Sequence, residues 1–181
     1  IKDGKFLIDG KEKNNLNIFS SNLFSYVPQN AFILDSSIKE NILLSNDIGD
    51  ENLITDVLKE TNLHEKISKL PNGFNTILGE SGKNFSGGEI QRLTISRCLY
   101  HKKKIIILDE PTSSIDKINE KKIKELFLKL KKKGITIIIV AHNLDLMKNC
   151  DQIYLLDNGE IVNSGKYSML IKSERLFSKL I

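Results

Sequence analysis

At 181 residues, 40% hydrophobic and 28% charged, the chain is long and apolar enough to bury one core, so one compact domain or most of one is expected. No run approaches the roughly 18 consecutive apolar residues of a membrane helix, and Ile1 opens the chain without the stages of a signal peptide, which points to a soluble, cytosolic piece cut from something longer. The net charge of +4 would admit nucleic acid, but the lysines at 102–104 and 131–133 lie beside expected helix ends and no aromatic residues interleave with them, so no nucleic-acid partner is expected.

In chain order, a short strand is expected over 5–8, ended by the turn pair Asp9-Gly10, and another over 25–27 that runs into Pro28. Helices follow over 38–44 and 51–61, the second marked by Leu53, Ile54, Val57 and Leu58 on one face. After Pro71 the texture becomes α/β. A helix over 87–100 leads to the run Ile105, Ile106, Ile107, Leu108, whose short β-branched character reads as a strand buried on both faces. Ile123, Leu126, Phe127 and Leu130 share one face of the next helix, which stops before Gly134, and a second buried strand is expected over 136–140. Strand, helix, strand in this order needs a crossover, hence a parallel sheet covered by helices. A hairpin is expected around Asp157-Asn158-Gly159, then short helices over 166–171 and 173–181. Cys98 and Cys150 lie in apolar stretches and read as buried reduced thiols.

Ligands of an open α/β sheet gather at the carboxyl ends of its strands, and there the sequence sets Asp109-Glu110. A single acid would serve as a helix N-cap. Two acids after so apolar a run favour a metal ligand beside a general base, one carboxylate holding Mg²⁺ and its neighbour orienting a water. Ala141-His142 ends the second strand at the equivalent height; a lone histidine there is more often structural, but this position raises the odds that both face one ligand. Phe85-Ser86-Gly87-Gly88-Glu89 opens the 87–100 helix. Ser86 and Glu89 form a capping box, which a plain helix start explains. Paired glycines, each costing roughly 1 kcal/mol against alanine in a helix, argue for bare N–H groups at the positive end of a dipole, a phosphate site.

Together these residues resemble the ATP-binding cassette (ABC) ATPase family. Phe85-Ser86-Gly87-Gly88-Glu89 resembles its signature sequence, 105–110 its Walker B strand with the catalytic glutamate, 109–116 the run into its D-loop, Ala141-His142 its switch histidine and Tyr26-Val27-Pro28-Gln29 its Q-loop. The stretch 76–82 resembles the X-loop of exporter-type cassettes. Residues 32–42 resemble the part of those cassettes that meets the coupling helices of the membrane domain, and the tail from 165 is similar to theirs.

The resemblance implies a P-loop NTPase-like α/β fold, a parallel sheet core flanked by helices with a helical subdomain. Its boundaries would be about 30–85 for the helical subdomain and X-loop, about 86–165 for the signature helix and RecA-like core, and 166–181 for C-terminal helices. It implies an ATPase that powers transport by head-to-tail closure of two cassettes, at the cytoplasmic face of a membrane, with a transmembrane domain fused upstream. Glu110 would activate water, Asp109 and Gln29 would hold Mg²⁺, and His142 would contact the γ-phosphate of ATP. Ser86, Gly87, Gly88 and Glu89 would meet the partner's ATP, and Asp116 would lie at the dimer seam.

The sequence departs from the family at Phe85, where leucine is usual, and at Glu89, where glutamine is common; a carboxylate there stands against phosphate affinity. No G-x-x-x-x-G-K-[ST] loop occurs. Gly79-Glu80-Ser81-Gly82-Lys83 mimics part of one, but Ile77 stands five before Gly82 and Asn84 replaces the hydroxyl. In the family that loop precedes the strand matching 5–8, so truncation upstream of Ile1 is the expectation and a degenerate cassette the alternative. A soluble cassette of DNA repair or translation type, or a regulatory subunit, stays open; no heptad array separates Gln29 from Ser86 as repair ATPases would have.

Overall fold

The computed structural model describes residues 7–8, 11–12, 24–45, 48–79, 82, 84–113 and 115–171. Strands β1 (Leu7–Ile8) and β2 (Lys11–Glu12) pair antiparallel on either side of Asp9-Gly10. Three strands, β3 (Phe24–Val27), β4 (Ile105–Asp109) and β5 (Thr136–Val140), make a parallel sheet in the order β3-β4-β5. Val27 pairs with Leu108, and Asp109 with Val140, so the three strands end at the same edge.

Helices α4 (Gly87–Tyr100) and α5 (Lys117–Lys132) cover one face of this sheet. Val27, Ile106 and Leu108 meet Ile95 and Cys98 of α4 and Ile123, Leu126, Phe127 and Leu130 of α5 in one buried cluster. The reading of both central strands as buried on two faces is corrected here. β4 alternates buried and half-buried residues, and β5 has no fully buried residue, with Ile138 and Val140 exposed. The cause is that, among the described residues, apolar side chains pack on only one side of the strands, and strand composition alone does not say how many faces are covered.

A second cluster gathers around α1 (Ile38–Leu43), α2 (Glu51–Glu60) and α3 (His64–Ser68): Ile38, Ile42, Ile54, Leu58, Leu63 and Ile67 close on Leu78, Phe85 and Leu93. α1 starts at Ser37, which forms a capping box with Glu40, and α2 starts at Asp50, whose carboxylate accepts the Asn52 and Leu53 N–H groups. The two clusters meet through α4, which gives Leu93 to one and Ile95 and Cys98 to the other. This explains why its residues from Gln91 to Cys98 are all buried. Its two hydroxyl residues are satisfied: Thr94 Oγ1 donates to the Ile90 carbonyl, Ser96 Oγ to that of Arg92, and Ser96 and Thr61 share a 2.9 Å bond, whereas Gln91 Nε2 and Arg92 Nε are buried without a partner among the described residues. Burial pushes the Cys98 thiol up, keeping it protonated, and it donates to Ser25 Oγ at 2.9 Å; Cys150 is only half-buried, against the expectation for it.

After the short helix α6 (Leu144–Met147), β6 (Ile153–Asp157) and β7 (Glu160–Gly165) form the expected hairpin. Asn158 and Gly159 both have positive φ, 49° and 83°, as the tight two-residue turn requires. Helix α7 (Tyr167–Leu170) matches the first of the expected terminal helices, and the second, over 173–181, lies outside the described residues.

Candidate functional site

The parallel register decides which side chains meet. Because β3, β4 and β5 end together, the residues just past them share one edge of the sheet. Glu110 follows β4 with φ 42°, a left-handed turn that a non-glycine residue adopts rarely, while its N–H donates to the Val140 carbonyl at 2.8 Å. In that pose the Glu110 carboxylate receives His142 Nε2 on Oε1 at 2.8 Å and Gln29 Nε2 on Oε2 at 3.0 Å. Residues from three strand ends, far apart in sequence, thus converge on one carboxylate. His142 is largely exposed, with 79% of its side chain open against 24% for Glu110, so the carboxylate is sheltered and the imidazole faces outward.

Two further residues join the group. Tyr26 donates its hydroxyl to Asp109 Oδ2 at 3.0 Å, across the β3-β4 pair, and this bond to a carboxylate raises the phenol's pKa. Ser113 Oγ accepts from Gln29 Nε2 at 3.3 Å and donates to the Glu110 carbonyl at 3.1 Å, which ties the turn after the acids to the glutamine. Sequence reading had both inside motifs, Tyr26 in 26–29 and Ser113 in 109–116, but gave neither a role. Tyr26 and Asp109 sit on the same face of adjacent strands, but only the register reveals that.

A second group forms at the start of α4. Ser86 Oγ accepts the Glu89 N–H at 3.3 Å and Glu89 Oε2 accepts the Ser86 N–H at 2.8 Å. The Gly87 and Gly88 N–H groups have no acceptor among the described residues. Ser86 and Gly87 are exposed while Gly88 is buried, and a methyl group on Gly88 would lie 2.7 Å from Asn119 Cβ and 3.0 Å from Ile115 Cγ2. The paired glycines therefore have two physical roles, since Gly88 is what lets α5 approach α4. Asp116 caps α5 by accepting the Ile118 and Asn119 N–H groups, each at 3.0 Å. Bonds from the Asn119 backbone and side chain, with the Ile118 N–H, hold its carboxyl below the usual range. Arg92 Nη1 donates to Asn119 Oδ1 at 3.1 Å, completing a link from α4 to the Asp116 turn.

The sequence-predicted residues thus fall into two groups, Gln29, Asp109, Glu110 and His142 at the sheet edge and Ser86 to Glu89 with Asp116 at the α4 start. Among the described residues no hydrogen bond joins one group to the other. A third feature lies at the α1 end. Ser37 bridges Ile77, Ile38 N donates to the Thr76 carbonyl and Leu78 N to that of Ser36, each at 3.0 Å. Phe32 and Ile77 are exposed, 64% and 65%, and Leu34, Asp35, Ser36, Glu40, Leu44 and Ser45 line an open groove; residues 80 and 81 of the 76–82 stretch lie outside the described residues.

Comparison with known proteins places this geometry. Residues 2–113 match the ABC transporter family. The ABC multidrug transporter atrD of Emericella nidulans is 40% identical over 182 residues, covering 98% of this chain and 13% of that protein. The ATP-dependent lipid A-core flippase of Saccharophagus degradans is 36% identical over 180 residues, 99% of this chain and 30% of that protein. A bacterial Atm1-family ABC exporter solved with ATP bound superposes with a TM-score of 0.86 at 28% identity, covering 98% of this chain and 31% of that one. The chain therefore spans between about one eighth and one third of the length of these relatives. With the sheet, the helices and the convergent strand ends, these matches establish that the chain belongs to the ABC transporter family and has the fold of its ATPase domain.

Proposed function

We propose that the chain is the ATP-hydrolysing motor domain of an export-type transporter, closing head to tail on a second such domain around ATP. The observation that carries this reading is the convergence of Gln29 and His142 on the Glu110 carboxylate at 3.0 and 2.8 Å. Glu110, sheltered and turned by its positive φ, is placed to accept a proton from water attacking a phosphate. His142, exposed at its ring and facing Glu110 through Nε2, suits a contact with charge developing on the phosphate oxygens.

The donor set suits a magnesium ion that keeps several waters. Asp109 offers one carboxylate and Gln29 a carboxamide oxygen, and no cluster of three or more acidic, histidine or cysteine ligands exists among the described residues. Mg²⁺ is commonly held in that way, by one or two protein oxygens with substrate phosphates completing the shell. Bound there, it would neutralise the phosphate charge; Asp109, held by Tyr26, and Gln29, held by Ser113, are the residues that would orient it.

The second group supports a role in a pair of domains. Exposed Gly87, whose N–H has no acceptor among the described residues, stands beside the exposed Ser86 side chain and suits a phosphate arriving from outside the chain; in this scheme that phosphate is part of the ATP held by the partner domain, with Asp116 near the seam. The paired segments 36–38 and 76–78, with exposed Phe32 and Ile77, suit contact with a transmembrane domain at the cytoplasmic face of a membrane. In this scheme residues about 30–85 form a helical subdomain, about 86–165 the catalytic core and 166–181 a helical tail. The test is Glu110→Gln in the whole protein. Phosphate release should fall by at least about a hundredfold while ATP-driven association persists; undiminished hydrolysis would remove Glu110 from its role and the proposal with it.

A further inference from the structure

Glu89 is the residue that departs from the family's glutamine, and it does not stand alone. Lys66 of α3 sets its Nζ 2.6 Å from Glu89 Oε2, 3.0 Å from the Asn84 carbonyl and 4.4 Å from the centre of the Phe85 ring. One ammonium thus grips the segment before the Ser86 cap and the carboxylate after it. The same Oε2 accepts the Ser86 N–H at 2.8 Å. Arg92 also feels the charge of Glu89, but its Nη1 hydrogen bond goes to Asn119 Oδ1.

The pair is partly sheltered, with 37% of the Lys66 side chain and 18% of the Glu89 side chain exposed, so its attraction is screened less than that of a surface pair. Burial opposes ionisation of Glu89, yet the bonds from Lys66 and Ser86 more than offset it and hold the carboxyl below its usual range. Glu89 is therefore an anion at neutral pH. A glutamine oxygen would accept the Ser86 N–H without bringing charge. A carboxylate in the same place puts a full negative charge at the end of the helix where a phosphate has to approach the Gly87 and Gly88 N–H groups, and like charges at such range repel.

We propose that Lys66 is a positioning residue for the α4 anion site: it supplies the counter-charge that makes Glu89 compatible with a nucleotide phosphate. This deepens the reading of the domain given above and rests on it. Lys66 touches no substrate. It acts through Glu89, so its loss matters only while a carboxylate stands at that position.

That condition gives a double-mutant cycle in the whole protein, read as the ATP concentration that drives association of the motor domains and as KM and kcat for ATP hydrolysis. Lys66→Met should raise the ATP requirement about tenfold, a loss near 1.4 kcal/mol, and act on KM more than on kcat. In a Glu89→Gln background the same substitution should change the ATP requirement less than about twofold, and Lys66→Arg should stay near wild type. Thermal unfolding of each variant separates a folding defect, because a merely structural lysine would weaken both backgrounds alike. An equal loss in both backgrounds, or no loss in either, overturns the proposal. If the wild-type protein shows no ATP-driven association, the motor reading falls and this inference falls with it; if the wild type associates and Lys66→Met matches it, only the inference falls.

Discussion

Arg97 and Asn41 are bound to each other twice: Nε donates to the Asn41 carbonyl at 2.6 Å and Nη2 to Asn41 Oδ1 at 2.8 Å. Arg97 Nη1 donates to the Phe32 carbonyl, and both residues are buried. Asn41 in turn accepts the Leu34 N–H and donates to the Leu34 and Ser37 carbonyls. A buried guanidinium is thus held by neutral acceptors alone, and it pins the loop after Gln29 to α4. Asn41→Ala removes the Oδ1 acceptor and leaves Nη2 of the buried guanidinium short of a bond, so a loss of about 1.5–3 kcal/mol is expected. Arg97→Met removes the charge itself and should cost less. Chemical denaturation of the two variants checks the order; a milder effect for Asn41→Ala would contradict it.

The two glycines should separate in experiment. Gly88→Ala forces a methyl group to within 2.7 Å of Asn119 Cβ. Overpacking of about 1–3 kcal/mol should outweigh the gain of about 1 kcal/mol in helix propensity, and the melting temperature should fall. Gly87, exposed in the first turn, should accept alanine with little change in melting temperature while ATP-driven association weakens. Equal melting behaviour of the two variants would refute the division of labour.

Acid should loosen α1 through Glu40. Bonds from the Ser37 N–H and then the Ser37 hydroxyl hold the Glu40 carboxyl below its usual range. A depressed folded pKa means stability that is fully present above the unfolded value of about 4.3 and lost as pH falls through the lower folded value. Glu40→Gln keeps an acceptor for Ser37 but does not titrate. Its stability against pH should be flatter than wild type below about pH 4.3; parallel curves would show that Glu40 makes no such contribution.

The 181-residue chain by itself should bind MgATP weakly, with a dissociation constant of about 1 mM or more. No G-x-x-x-x-G-K-[ST] loop is among its residues, and that loop's backbone supplies most of a phosphate cradle. Equilibrium dialysis measures this directly. Micromolar binding would mean that the groups at Gln29, Asp109 and Ser86 hold nucleotide unaided.

Much of the fold was legible because its signals are local. The 87–100 helix, the 105–108 and 136–140 strands and the Asn158-Gly159 turn each follow from spacing, β-branching or turn chemistry, and all occur where expected. Burial was less legible, since the exposed face of Ile138 and Val140 depends on what packs there and not on their apolar character. At the site, the acids and the histidine were readable from their places after strands. Tyr26 and Ser113 were not, because their partners lie 83 and 84 residues away, at Asp109 and Gln29 respectively, and only strand register brings them near. Lys66 was hidden for the same reason: nothing in α3 marks it as the partner of a residue 23 positions on.

A single helix, α4, lends side chains to both hydrophobic clusters, and the two ends of that shared element have different partners. Its first turn faces the Asp116 loop, and its last turn reaches α2 through Tyr100, whose hydroxyl accepts the Asp50 N–H at 3.0 Å. Opening of either cluster exposes side chains of this one helix, so amide exchange along α4 should be among the slowest in the domain.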